Sequence, residues 1–203
     1  MRTRVLLAIT ALLMAIVSTV AIGSNMGFKI SIPLTAGQVK FISIPYYSSF
    51  TNASSIRNDL IAAGAGNVTL WNYTGTVWQS FSGGGLGQID FPVVAGAAYQ
   101  VGVSNSCNWI VVGSHNPSAA VSFIGGQAKF ISVPYHSTAR KASELRSELI
   151  AAGAGAVTLY NYTGTTWQQY SGGGLGQVDF DIVPGTGYQA SCSNSFSWVP
   201  AHY

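Results

Sequence analysis

Twice in this chain the segment SGGGLGQ stands between an aromatic-rich stretch and a short apolar one, at Ser82–Gln88 and at Ser171–Gln177. A glycine-rich loop cradles a phosphate when it joins a strand to a helix N-terminus and a lysine and a Ser or Thr follow, because helix amides and the lysine supply the anion's ligands. Here QIDF and QVDF follow, which read as strands, and GK[ST] occurs nowhere. The glycines suit positive φ angles in a long hairpin or bulge instead. Other candidates for catalysis fall in the same way. His115, His136 and His202 share no HExxH and no i, i+4 spacing, as a zinc site would need, and His136 reads as a surface variant of Tyr47. Asp90 and Asp179 occupy equivalent places, one in each copy of a repeat, whereas glycoside hydrolysis needs two carboxylates across one bond. No GxSxG is present. The chain therefore reads as a non-enzyme with no catalytic, cofactor-binding or metal-binding residues.

Two residue types carry quieter chemistry. Cys107 and Cys192 could form a disulfide in an oxidising compartment, but they occupy non-equivalent places, so the bond would join the two halves or two subunits. Two unpaired thiols acting as small apolar side chains are the alternative. Asn52, Asn67, Asn72 and Asn161 open N-x-[ST] sequons and mark exposed positions for glycosylation. Aromatic residues are the stronger signal: Trp71, Tyr73, Trp78, Phe81 and Trp109 return as Tyr160, Tyr162, Trp167, Tyr170 and Trp198. Rings beside Asn and Gln suit a sugar-binding surface, and rings also pack sheet faces.

The elements that must hold these residues are written twice. Setting residue i against i+89 aligns Phe41–Trp109 with Phe130–Trp198 without a gap, with 43 of 69 positions identical. That is a tandem duplication. Within a unit, Val39–Tyr46 alternates as a strand. Asn52–Ala63 spaces Ile56, Leu60 and Ile61 as one helix, with Asn52 or Ser54 as its cap and Gly64 past its end. Further strands are expected at Val68–Tyr73, Thr76–Ser82, Gln88–Val93, Ala98–Ser104 and Trp109–Val112, rich in Val, Ile and aromatics and bounded by Gly, Asn or Ser. The fold class is mainly β: two duplicated small β-sandwich or β-roll domains, each with one short helix. Expected boundaries are 35–115 for the first and 116–203 for the second.

Only 7% of the 203 residues are charged against 48% hydrophobic, which excludes a disordered chain and leaves little self-repulsion between copies. Residues 1–24 carry two arginines, an apolar run and then small residues, the order of a secretory signal peptide; a membrane anchor is the alternative if it is not cleaved. Without Arg2 and Arg4, seven basic residues face six acidic ones, a balance that offers nucleic acid no patch. Secretion to the medium or cell surface is expected.

The unmatched ends of the repeat carry the functional reading. Residues 25–34, NMGFKISIPL, precede the first shared block, with Phe28, Ile30, Ile32 and Leu34 alternating against Lys29, Ser31 and Pro33. Pro117–Phe123 keeps the alternation more weakly, and after Trp198 and Val199 the chain soon stops, so the second domain has a shortened last strand. A strand that leaves backbone groups unpaired invites an extended segment from another chain. Handing residues 25–34 to Trp198 and Val199 of a neighbour gives a head-to-tail contact that does not close, hence a homopolymeric filament. With NMGFK after the leader, ISIPY and ISVPY in the two units, and VGSH at 112–115, the chain resembles a group of secreted bacterial and archaeal proteins built of tandem β domains. The resemblance implies a surface or extracellular protein and, for some members, a fibril subunit. The alternative expectation is a secreted carbohydrate-binding or adhesion module working as a monomer, its two domains giving avidity.

Overall fold

Alternation decides the first element of the computed structural model, which describes residues 27–114 and 119–202. The expected signal peptide, residues 25 and 26 of the leading segment, His115 and Pro117 lie outside the described residues. Strand β1 (Phe28–Leu34) buries Ile30, Ile32 and Leu34 and leaves Lys29, Ser31 and Pro33 in solvent, as a period of two requires when one face meets a core. It is followed by β2 (Val39–Ser43), α1 (Ala53–Ala62), β3 (Val68–Tyr73), β4 (Trp78–Phe81), β5 (Ala98–Val103) and β6 (Cys107–Gly113). The second copy repeats the order as β7 (Val121–Phe123), β8 (Ala128–Ser132), α2 (Ala142–Ala151), β9 (Val157–Tyr162), β10 (Trp167–Tyr170), β11 (Gly187–Cys192) and β12 (Phe196–Trp198). The protein is mainly β, with two tandem domains. No helix among the described residues is long and apolar enough to cross a membrane.

Each domain has an antiparallel four-stranded sheet, ordered β2-β5-β3-β4 in the first and β8-β11-β9-β10 in the second, and a separate two-stranded sheet, β1-β6 or β7-β12. The core of domain 1 joins Ile30, Ile32 and Leu34 of β1, Trp109 and Val111 of β6, Ile56 and Leu60 of α1, and the inner residues of β2, β3 and β5. Full burial of side chains such as Ile56 and Leu60 stabilises by about 1.5–3 kcal/mol each. The helix starts where Asn52 Oδ1 accepts from Ser55 N–H at 3.1 Å. Asp90 adds a second cap, its Oδ1 accepting from Ser54 N–H at 2.7 Å, and Asp179 does the same for Ser143 of α2 at 2.7 Å. The repeated aspartates are thus helix anchors, placed where the helix dipole favours an anion.

The strand expected at Val39–Tyr46 ends at Ser43, ahead of Pro45, and three further expectations need correction. The stretch Gln88–Val93 forms no regular strand: Ile89 N–H donates to Ser80 O at 3.0 Å, and one bridge joins Asn52 to Pro92, because this segment must turn to carry Asp90 to the helix. The strand expected at Thr76–Ser82 shortens to β4, since the turn at Thr74–Val77 closes with Thr74 N–H donating to Val77 O. His136 is half-buried rather than a surface variant, its ring edge-on to Phe28 at 5.9 Å.

The two domains meet about a local two-fold axis. Phe41 and its equivalent Phe130 stack on each other at 4.5 Å and 3° between planes. Ser43 Oγ and Ser132 Oγ are hydrogen-bonded to each other in the same interface. Ser43 N–H donates to Gly185 O at 3.0 Å, and Ser132 N–H donates to Gly96 O at 2.9 Å. The outer edges of β2 and β8 are therefore capped by a loop of the opposite domain, which removes two exposed sheet edges. Tyr99 shapes one of those loops, its hydroxyl accepting from Val94 N–H at 2.7 Å, and Tyr188 repeats this with Val183 at 2.6 Å.

Candidate assembly and binding surfaces

Seven residue pairs join β1 to β6, from Phe28 opposite Gly113 to Leu34 opposite Cys107. Ser31 Oγ donates to Asn108 Oδ1 at 2.6 Å on the exposed face. Lys40 of β2 reaches over and donates to Pro33 O at 3.1 Å, its amine held below the usual lysine range by burial. On the inner face Ile32 lies opposite Trp109, whose Nε1 donates to Asp59 Oδ2 at 2.6 Å. Among the described residues the leading strand has one ladder, since β1 and β6 form a sheet apart from the other four strands of the domain. Thr35–Gln38 turn the chain into β2, with Gly37 N–H donating to Val103 O.

Among the described residues the corresponding ladder of the second domain is shorter. Strands β7 and β12 share three pairs, Val121–Trp198 to Phe123–Phe196. Trp198 is buried, pairs with Val121 of its own domain, and donates Nε1–H to Glu148 Oε1 at 2.8 Å. Val199 is half exposed and lies beyond the ladder. Pro200 follows and has no N–H to give to a strand on that side. The chain then crosses to Ser137, which bridges His202. The sequence set Phe28, Ile30, Ile32 and Leu34 and the pair Trp198 and Val199 thus lie in different domains, each engaged within one chain.

Cys107 and Cys192 are both free thiols, Cys107 packed against the first core and Cys192 buried in the second. Burial pushes the Cys192 thiol up to about 11 and raises Cys107 as well. Among the described residues no three His, Cys, Asp or Glu side chains gather as metal ligands would.

The glycine loops answer their own anion question. Gln88 Oε1 accepts from Ser82 N–H at 2.8 Å and Gly84 N–H at 3.1 Å, while Gln88 Nε2 donates to Ser82 Oγ at 2.8 Å. Gln177 makes the same three bonds with Ser171 and Gly173. Convergent loop amides of the kind that bind a phosphate are here occupied by the loop's own glutamine oxygen. Gly83, Gly84 and Gly85 all have φ above +90°, so the loop demands glycine. At its tip Leu86, like Leu175, is fully exposed.

Aromatic side chains divide between two surfaces. Tyr73, Trp78, Tyr162 and Trp167 surround the Phe41–Phe130 stack, with Trp78 and Trp167 each 48% exposed at its rim. Away from the axis, the outer face of the first sheet carries a shallow cleft of about 240 Å³ with Gln38, Asn67, Thr69, Trp71, Gly102 and Ser104 in its wall. Residues that sequence reading overlooked are those that lock the domains together: Gly96 and Gly185, Tyr99 and Tyr188, and Ser43 and Ser132. All six are identical across the 89-residue period. Yet identity there does not tell an interface residue from a core residue. No family model, curated protein or solved structure matches the chain.

Proposed function

We propose that this chain is a non-enzymatic extracellular structural protein, a filament subunit in which β1 passes from one copy to the next. One observation carries the reading: among the described residues β1 closes domain 1 through a seven-pair ladder of its own, while its counterpart β7 makes three pairs. A strand whose ladder, among the described residues, is with β6 alone can leave and be replaced by the same strand of another copy. Exchange conserves every contact of Ile30, Ile32 and Leu34, so its enthalpy is near neutral and assembly follows from concentration. In this form the acceptor is β6, Cys107–Gly113, rather than Trp198 and Val199, since β6 offers the matching register. A monomeric carbohydrate-binding module is the second reading, favoured by the pairing of β1 inside its own chain and by the cleft beside Trp71.

Ser31 and Ile110 are opposite each other and both exposed, so they report on the exchange. With Ser31→Cys and Ile110→Cys in a Cys107→Ala, Cys192→Ala background, oxidation of concentrated protein should give a ladder of covalent multimers on a non-reducing gel. Monomers closed on themselves at every concentration would refute strand exchange and leave the second reading.

A further inference from the structure

Three of the four sequons use their asparagine amide inside the fold. Asn52 caps α1, and its Nδ2 donates to Asp90 Oδ2 at 3.0 Å. Asn72 and Asn161 are equivalent residues whose Nδ2 atoms donate across their hairpins to Gln79 Oε1 and Gln168 Oε1, at 3.0 and 2.9 Å. All three residues are half-buried. A sugar on any of these nitrogens would crowd the acceptor it faces and weaken a bond the fold uses. Asn67 differs. It is exposed, and its bonds are those of the backbone: its N–H donates to Ser104 Oγ at 2.8 Å and its C=O accepts from Ser104 N–H at 2.9 Å.

Alternation puts Asn67, Thr69 and Trp71 on one face of the sheet. Thr69 stands opposite Gly102, and the indole of Trp71 leans back over that glycine. A Cβ at position 102 would lie 3.2 Å from Cζ3 and 3.3 Å from Cη2 of the ring. The ring therefore comes within about two residues' rise, ~7 Å, of Asn67 along the strand. The second domain carries Ala156, Tyr160 and Ser191 at the three corresponding positions. Sequon, indole and open floor are thus present together in one copy and absent together from the other, in sheets that otherwise repeat.

We propose that Asn67 is an N-glycosylation site and that the cleft holds the first sugars of its glycan against Trp71. This rests on the extracellular part of the reading above and not on strand exchange. Nδ2 of Asn67 attacks the anomeric carbon of a lipid-phosphate-linked oligosaccharide; the N–C bond forms, the anomeric C–O bond breaks, the lipid phosphate leaves, and the amide proton passes to the transferring enzyme. The indole offers a flat apolar surface to the C–H face of a pyranose, and the Thr69 hydroxyl and Gln38 amide offer hydrogen bonds at its edge.

The test is glycopeptide mass mapping of the full chain recovered from the medium of its own cells. A sugar mass on the Asn67 peptide, bare peptides for Asn52, Asn72 and Asn161, and return to the bare polypeptide mass in Asn67→Gln are expected. Trp71→Ala should keep the glycan but speed its release by an endoglycosidase several-fold. A secreted, processed chain bare at Asn67, or one glycosylated at another sequon in its place, overturns the site. A bare chain that retains oligosaccharide without a covalent bond, and loses it in Trp71→Ala, also overturns the covalent site and makes the cleft a receptor for free sugar. A chain kept in the cell with its leader intact overturns the site and the extracellular reading together.

Discussion

Burial raises two thiols, Cys107 and Cys192, and three phenols, Tyr46, Tyr99 and Tyr188, and these groups shape how this protein answers to alkali. Burial raises the Cys192 thiol from 9.0 to about 11 and the Tyr99 and Tyr188 phenols from 10.0 to about 12. The folded state favours the protonated forms, so their contribution to stability is complete below pH 9 and is lost as pH rises, between about 9 and 11 for the thiol and between about 10 and 12 for the phenols. Melting temperature should stay level up to pH 9 with respect to these groups and fall above it. Domain 1 has Val103 at the place of Cys192, so Cys192→Val should fit the core and make the fall between pH 9 and 11 shallower, with the part due to Cys107 remaining. A melting temperature unchanged from pH 9 to 11 in the parent protein would contradict this. Tyr99 and Tyr188 matter beyond titration, because each phenol holds the loop that caps the other domain's edge strand.

At the scale of elements, the glycine loop shows how a mobile-looking sequence is given one shape. Four of its seven residues are glycines with positive φ, a conformation that loses much backbone entropy on ordering. Three hydrogen bonds from Gln88 offset that loss, and the same three recur at Gln177. Gln88→Ala should remove about 1–2 kcal/mol of local order while leaving the core alone. Limited proteolysis would then nick the chain near Leu86 several times faster, with the melting temperature shifted little. Equal nicking rates in parent and variant would show that the glutamine does not hold the loop. The strand expected after this loop was illegible for a related reason: QIDF alternates like a strand, yet Asp90 is drawn away to cap α1, and a long-range helix cap leaves no periodic mark.

For the whole molecule, the interface between domains is the feature a duplicated sequence hides best. Equivalent residues meet at the axis, and Ala98 faces Gly187, its own counterpart. A Cβ added at 187 would collide with the Ala98 methyl and press on Ile42 O, so two alanines do not fit where one alanine and one glycine do. Gly187→Ala should destabilise by roughly 1–3 kcal/mol through overpacking. Exchanging the pair, with Ala98→Gly added, should restore most of the loss, a coupling that a double-mutant cycle on chemical unfolding would read. Additive effects of the two substitutions would mean that the methyls do not meet.

Sequence alone determined the duplication, by self-alignment, and the β class, the presence of α1 and the limits of β1 and β3, because each of these is a local matter of periodicity read within a few residues; it left the cap of α1 open between Asn52 and Ser54, and the structure shows Asn52. It also named Asn67 among four sequons, with no means of preferring it. Tertiary structure decided which amides the fold uses, that Trp71 leans over Gly102, that loop amides are filled by Gln88 and Gln177, and that Phe41 meets Phe130. Those are contacts between residues far apart in the chain or on separate strands, and composition and spacing carry no record of which distant groups burial will bring together.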